Sequence, residues 1–411
     1  MKLQLPLHPR PYVNVIDQIK AFNTGRDPER LALKYQKMRA SPFGFLRATC
    51  HLFYDRLPTG GVFKSAPPVW VCGDLHLENF GSYKGNNRLA YFDLNDFDES
   101  ALAPASWDLV RMLASLQVGA ASLGFAKEQA RSLCRIFLQS YAAALAGGKS
   151  YWVESETSRG IIRHLLLSLR ERQRAQFLDT RTTLKRRRRV IKVDGEKALA
   201  ATEAQRTAVL AFMAKFAATQ AEPAFFEVQD VARRIAGTGS LGLDRFAVLV
   251  QGKGSPGGNY LLDLKACLPS SVAPHVATPQ PAWKSEAHRV VEVQRRMQAV
   301  PPAMLQPVRF NGKPYVLREL QPHEDRITLD HSGNTPQEVG EAVGTMGQLV
   351  AWAQLRSAGR GGSATADELI DFALRSKWQG RLLDAAADCA ARVNKDAATF
   401  NVAFDAGAFN A

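Results

Sequence analysis

The pattern of apolar positions changes period along the chain, and the changes divide it. Behind Ser41, a capping residue, and Pro42, which suits a first turn, Phe43, Leu46, Cys50 and Phe53 recur on one face and predict a helix over 41–57. A continuous apolar run, Val69-Trp70-Val71-Cys72, reads as a buried strand. It empties into Gly73-Asp74-Leu75-His76-Leu77-Glu78-Asn79. The turn signal Gly85-Asn86-Asn87 leads to a second strand, 88–94, which ends in Asn95-Asp96-Phe97-Asp98-Glu99. Helical periods follow at about 106–122 and 128–147.

Residues 150–205 are charged and irregular in pattern, and an alanine-rich helix at 202–219 reads as a boundary. From 224 to 330 the texture is strand-like: 225–235, 246–250 and 260–265, then a helix at 284–299 and two strands around the hairpin signal Asn311-Gly312. Helices with a glycine-rich loop at 359–362 complete the chain. These changes predict an N-terminal extension (1–33), a helix-rich half (34–205), a connecting helix (206–221), a sheet unit (222–330) and C-terminal helices (331–411) that complete the helical part. The fold class is α+β, with a helix-rich lobe and a small antiparallel-sheet lobe.

Composition narrows the setting. With 411 residues, 46% hydrophobic and 22% charged, the chain is of ordinary globular type, long enough for two or three domains. Five cysteines without CxxC spacing form neither a disulfide framework nor a zinc knuckle, and predict reduced thiols in a cytoplasmic protein. The N-terminus has no apolar core of signal-peptide length, and no run approaches a membrane span. The net charge of +14 suits phosphate-rich partners, and equally a protein with solvated lysines and arginines. The basic run Lys185 to Arg189 lacks interleaved aromatics, so nucleic acid is an unsupported partner.

Asp74 and Asn79, five residues apart on a loop leaving a strand, match the spacing of a kinase catalytic loop. There the aspartate orients an acceptor hydroxyl and the asparagine holds Mg²⁺. Past a hairpin, Asp96-Phe97-Asp98 stands where a kinase carries its metal-binding Asp-Phe-Gly, so Asn79, Asp96 and Asp98 are candidate ligands for a hard cation. His76 reads as a loop-stabilising residue. Asp108, at a helix start, either caps that helix or hydrogen-bonds back to the loop. Gly237-Thr238-Gly239-Ser240-Leu241-Gly242 lies between two strands, unlike a dinucleotide fingerprint, which opens a helix. The next strand offers Lys265 for the nucleotide phosphates. Glu286 on the following helix is the expected carboxylate partner of that lysine, and Arg318 and Glu319 either border a base pocket or form a salt-bridged pair.

The stretches KMRASPFGFLR, CGDLHLENFGSY, YFDLNDFDES, PASWDLVRMLAS, DVARRIAGTGSLGLDRF, NYLLDLKA and YVLRELQPHEDR resemble the uncharacterised bacterial domain-of-unknown-function family 2252, which looks related to protein-kinase-like enzymes of the aminoglycoside and choline kinase type. The resemblance implies that Asp74 is the catalytic aspartate, Asn79 and Asp96 bind metal, Asp108 braces the loop and Lys265 binds phosphate. Cys72 replaces the first histidine of that loop. The glycine loop and Lys265 follow Asp74 instead of preceding it, which implies a circularly permuted two-lobed fold with ATP and Mg²⁺ as cofactors and an unidentified hydroxyl compound as acceptor. Three other readings stand beside it. One is nucleotidyl (AMP) transfer from the same site. Another is a metallophosphoesterase built on Asp74, His76 and Asp96, although no later Gly-Asn-His-Glu block is present. The third is a catalytically silent nucleotide- or nucleic-acid-binding protein.

Overall fold

The structure, a computed structural model, describes residues 14–58, 60–330 and 333–409. Its strands are β1 (Pro68–Val71), β2 (Phe80–Lys84), β3 (Ala90–Leu94), β4 (Ala101–Pro104), β5 (Thr182–Lys185), β6 (Arg188–Ile191), β7 (Ala198–Ala200), β8 (Val228–Arg234), β9 (Arg245–Val250), β10 (Tyr260–Ala266), β11 (Gln306–Phe310) and β12 (Lys313–Leu320). Six of them form one antiparallel sheet in the order β11-β12-β10-β9-β8-β7; β1 pairs with β4, β2 with β3 and β5 with β6. The α+β class is therefore observed. No helix among the described residues is long and apolar enough to cross a membrane.

The helical part is organised around Ser106–Gly119, in which every residue except Gln117 is buried. The helices Lys127–Ala146 and Lys377–Asp405 pack against it, Pro336–Arg356 packs in turn on Lys127–Ala146, and all contribute to one continuous core. Gly347 permits close contact here: a Cβ on it would lie 2.4 Å from the Phe137 carbonyl oxygen, so the Pro336 and Lys127 helices meet backbone to backbone.

Period-two alternation gives the six-stranded sheet two different faces. Leu262, Leu264, Phe246, Val248 and Leu317 turn to one side and pack on Val209, Met213 and Phe216 of the helix Glu203–Ala217. Asp263, Lys265, Arg245, Arg234 and Arg318 turn to the other and line a cavity against β2, the β3 end and the helix Glu286–Met297. The alanine-rich helix is thus a cover for the sheet, and β7 extends that sheet to before residue 222.

Other local expectations changed in detail. The helix at 41–57 is broken at Thr49 into Pro42–Ala48 and Cys50–Asp55, with Ser41 Oγ accepting from the Gly44 amide at 3.0 Å as its cap. Residues 150–205 hold the helices Gly160–Ser168 and Arg174–Arg181 and the β5–β6 hairpin. The basic run forms the tip of that hairpin: Lys185 to Arg188 are exposed, while Arg189 is buried against Asp179 at 2.7 Å. Asn311 and Gly312 take φ of +48° and +74° in the β11–β12 turn, the left-handed pair that this dipeptide favours.

Candidate active site

Strand β1 delivers the chain to Gly73, whose φ is +86°. A Cβ there would lie 2.1 Å from the Glu99 carbonyl oxygen, so only glycine lets the loop pass. The amides of Cys72 and Gly73 donate to Asp108 Oδ2 and Oδ1 at 2.8 and 2.9 Å. Asp108 therefore braces the loop. It lies in the first turn of Ser106–Gly119, where the helix dipole favours negative charge. Burial nevertheless raises its carboxyl to about 6, against the pull of the two amides.

One helical turn further on, Arg111 reaches the same loop. Its Nε donates to Asp74 Oδ1 at 2.7 Å, its Nη2 bonds the same oxygen, and Nη2 also donates to the Leu46 carbonyl at 2.9 Å. The guanidinium is fully buried, 4.8 Å from the centre of the Phe53 ring. Burial pushes the Asp74 carboxyl up and Arg111 pulls it down, and the balance stays above the ordinary value. Both Arg111 bonds fall on Oδ1, and Asp74 lines a cavity of about 100 Å³. Sequence reading overlooked Arg111. The available signal was its spacing: it follows Asp108 by three residues and shares its helix face.

His76 Nδ1 accepts from the Glu78 amide at 3.1 Å, and burial holds the imidazole well below its ordinary pKa. It is a neutral loop support. Asn79 is buried, and its Nδ2 has no partner among the described residues. Strand β3 places Asp96 and Asp98 beside this amide, in the same cavity wall.

Lys265 comes to these acids from the sheet. It ion-pairs with Asp98 and lies 3.9 Å from Asp96 Oδ1. Its side chain is 13% exposed, so it is not a solvated strand lysine. In the Asp96 carboxyl, burial raises the pKa, but Lys265 and the Asp98 amide outweigh it and hold the group below its ordinary value. Asp98 stays above: burial and neighbouring Asp96 dominate over Lys265.

Three expectations need correction. Lys265 pairs with Asp98, and Glu286 accepts instead from Arg289 Nε at 2.6 Å. Glu286 stands at the first residue of its helix, one turn short of Val290 and Gln294, which line the cavity. Its contribution is indirect, because Arg289 donates to the carbonyls of Asp98 at 2.8 Å and Ser100 at 2.6 Å and pins that loop. Glu319 does not line the cavity: strand alternation turns Arg318 and Leu320 inward and leaves Glu319 with Arg174 at 2.8 Å. In the glycine loop, Gly237, Thr238, Gly239 and Ser240 line the cavity with Asp74, but Gly242 packs on Arg26 and accepts from the Asp27 amide.

The two cavities adjoin. The larger, about 350 Å³, holds Lys265. The smaller holds Asp74 and Asn79. Asn95, Asp96, Asp98 and Gly237 line both. Residues far apart in sequence close the smaller one. Arg26 Nη1 donates to the Gly239 and Leu241 carbonyls at 2.8 and 2.9 Å, and Lys34 Nζ donates to Gly239 at 3.1 Å. Glu99 also lines it, with its carboxyl raised to about 7, chiefly by burial.

Among the described residues, no three His, Cys, Asp or Glu side chains gather into a metal centre. Asn79, Asp96 and Asp98 are an amide and two carboxylates. This hard-oxygen set, with Asn79 offering its Oδ1, fits Mg²⁺ when water and phosphate complete the shell.

Neither a curated protein nor a solved structure significantly matches the chain. Residues 26–403 match the family model described as an uncharacterized protein conserved in bacteria (DUF2252), and the chain belongs to that family.

Proposed function

We propose that this chain is an ATP- and Mg²⁺-dependent phosphotransferase with a kinase-like, circularly permuted two-lobed architecture, acting on a hydroxyl acceptor. One observation carries the reading. Beneath a glycine-rich hairpin, a lysine from the sheet meets the carboxylates at 96 and 98, in a cavity wall shared with Asp74 and Asn79.

Each residue then has a part. Lys265 steadies the nucleotide phosphates, and the backbone of Gly237 to Ser240 covers them. Asn79, Asp96 and Asp98 would hold Mg²⁺, which when bound neutralises phosphate charge. Asp74 Oδ2 accepts a hydrogen bond from the acceptor hydroxyl and aims it, while Arg111 keeps the other oxygen fixed. Asp108 holds the loop backbone. Catalysis on this plan is positioning and charge neutralisation. The glycine hairpin and lysine follow the Asp74 loop in sequence, and permutation is the simplest way to reconcile that order with adjoining cavities.

The test uses the purified chain, Mg²⁺, hydroxyl-bearing candidates and ATP labelled at either the α- or the γ-phosphate. Transfer of the γ-label, lost in Asp74→Ala while nucleotide binding persists, is the expected result. Unimpaired turnover in Asp74→Ala refutes the role of that carboxylate, and transfer of the α-label alone makes the reaction nucleotidyl transfer.

A further inference from the structure

The sheet wall of the larger cavity carries cationic charge that its own carboxylates do not balance. Arg234 ends β8, Arg245 begins β9 and Arg318 lies on β12. Strand alternation turns all three onto the cavity face around Asp263 of β10. Asp263 is fully buried and is shared by all of them. Arg245 donates Nε and Nη2 to it at 2.8 and 2.6 Å, Arg234 donates Nη1 at 2.5 Å, and Arg318 Nε stands 3.5 Å away. Arg245 Nη1 is taken by the Ala236 carbonyl at 3.1 Å.

The others keep unused donors. Among the described residues Arg318 makes two long ion pairs, the second with Glu324 at 3.4 Å, and Arg234 makes its single bond to Asp263. Arg181, from the helix Arg174–Arg181, lines the same cavity. The cavity as a whole is lined by six cations and five carboxylates, but Lys265 is taken up by Asp96 and Asp98, Arg326 pairs with Glu78 and Asp325 with Arg172, so at the sheet end four guanidiniums, at 181, 234, 245 and 318, stand with two carboxylates, at 263 and 324. Uncompensated charge at a shielded site is costly unless an anion completes it. A pocket shaped for a nucleobase is predominantly apolar with a few polar groups. Planar guanidinium forks match phosphate oxygens two at a time.

We infer that this end of the cavity is a polyphosphate site, in which Arg181, Arg234 and Arg318 grip a phosphate chain, whether that chain belongs to a nucleotide or is inorganic. The inference does not depend on phosphoryl transfer, since it concerns binding alone and leaves Asp74 aside.

The test is titration calorimetry on the full chain with inorganic tripolyphosphate, ATP and adenosine. Tripolyphosphate is expected to bind without any nucleoside, more weakly at higher salt, and adenosine is expected not to bind. Arg318→Gln and Arg181→Gln are each expected to weaken tripolyphosphate about tenfold, the loss of one charge-assisted contact. ATP should weaken by the same factor in each. Comparing the wild-type affinities for tripolyphosphate and ATP then identifies the source, with a tighter ATP marking a nucleotide chain. Melting curves confirm that the variants fold. If Arg318→Gln does not fold, Arg181→Gln, which makes no hydrogen bond to Asp263, carries the comparison. Binding of adenosine without tripolyphosphate would overturn the inference, as would tripolyphosphate binding that is unchanged in the folded variants. Asp74→Ala should leave tripolyphosphate binding intact, so an inactive enzyme and an absent anion site are distinguishable.

Discussion

The pair between Arg111 and Asp74 can be tested before any acceptor is known, because its energy is a folding energy. Replacing Arg111 with methionine removes two bonds to Asp74 Oδ1 and one to the Leu46 carbonyl, and leaves the carboxylate in a largely desolvated site. Breaking a buried pair from one side costs about 3–5 kcal/mol. Arg111 is fully buried but the Asp74 side chain is 19% exposed, so solvent softens the loss and the low end, about 3 kcal/mol, is the better figure. Asp74→Asn strands the buried guanidinium instead and should cost a similar amount. The double variant Arg111→Met with Asp74→Asn leaves neither charge behind, so the two losses should not add. Urea denaturation of the four proteins at neutral pH should give a coupling energy of about 2–3 kcal/mol. Additive losses, within about 0.5 kcal/mol, would show that the two groups do not depend on each other in the folded protein. Any activity should shift as well. Burial already raises the Asp74 carboxyl and Arg111 is the main opposing influence. Its removal therefore moves the acid limb of the pH–rate profile to higher pH.

Further outcomes follow from neighbouring residues. Asp108→Ala leaves the buried amides of Cys72 and Gly73 without an acceptor and should cost about 2–4 kcal/mol in urea melts, at about 1–3 kcal/mol for each stranded donor. Gly73→Ala adds a Cβ 2.1 Å from the Glu99 carbonyl at a φ that alanine disfavours, and should lower stability by about 3 kcal/mol or more, measured the same way. Glu99 has a folded pKa of about 7, above its ordinary 4.5, so the folded state holds the proton more tightly between those values. Its contribution to stability is therefore full below about 4.5 and declines as pH rises toward 7, and Glu99→Gln should flatten that part of the stability–pH curve. An unchanged slope in the variant would assign the titration to another group.

The sequence by itself determined what depends on a few neighbouring residues. The Asn311-Gly312 turn, the Ser41 cap, the strand ending at the Gly73 loop and the glycine loop between two strands all appear where local patterns put them. Asp108 was legible as a loop brace or a cap because both uses follow from one helix start. Partner choice was not legible, because it is settled by segments brought together from opposite ends of the chain. The acid facing Lys265 lies 167 positions before it, whereas the nearer Glu286 is captured by Arg289 one turn along its own helix. Arg111 reaches Asp74 across 37 positions, and Arg26 reaches Gly239 across 213. The polarity of the cavity was hidden for the same reason. Period two showed that alternate residues of β10 and β12 share a face, but only the register of β8, β9, β10 and β12 gathered three arginines around Asp263. Backbone geometry repeats over two or four residues and can be read along a chain, whereas charge pairing in a closed site is decided by packing, which no single segment encodes.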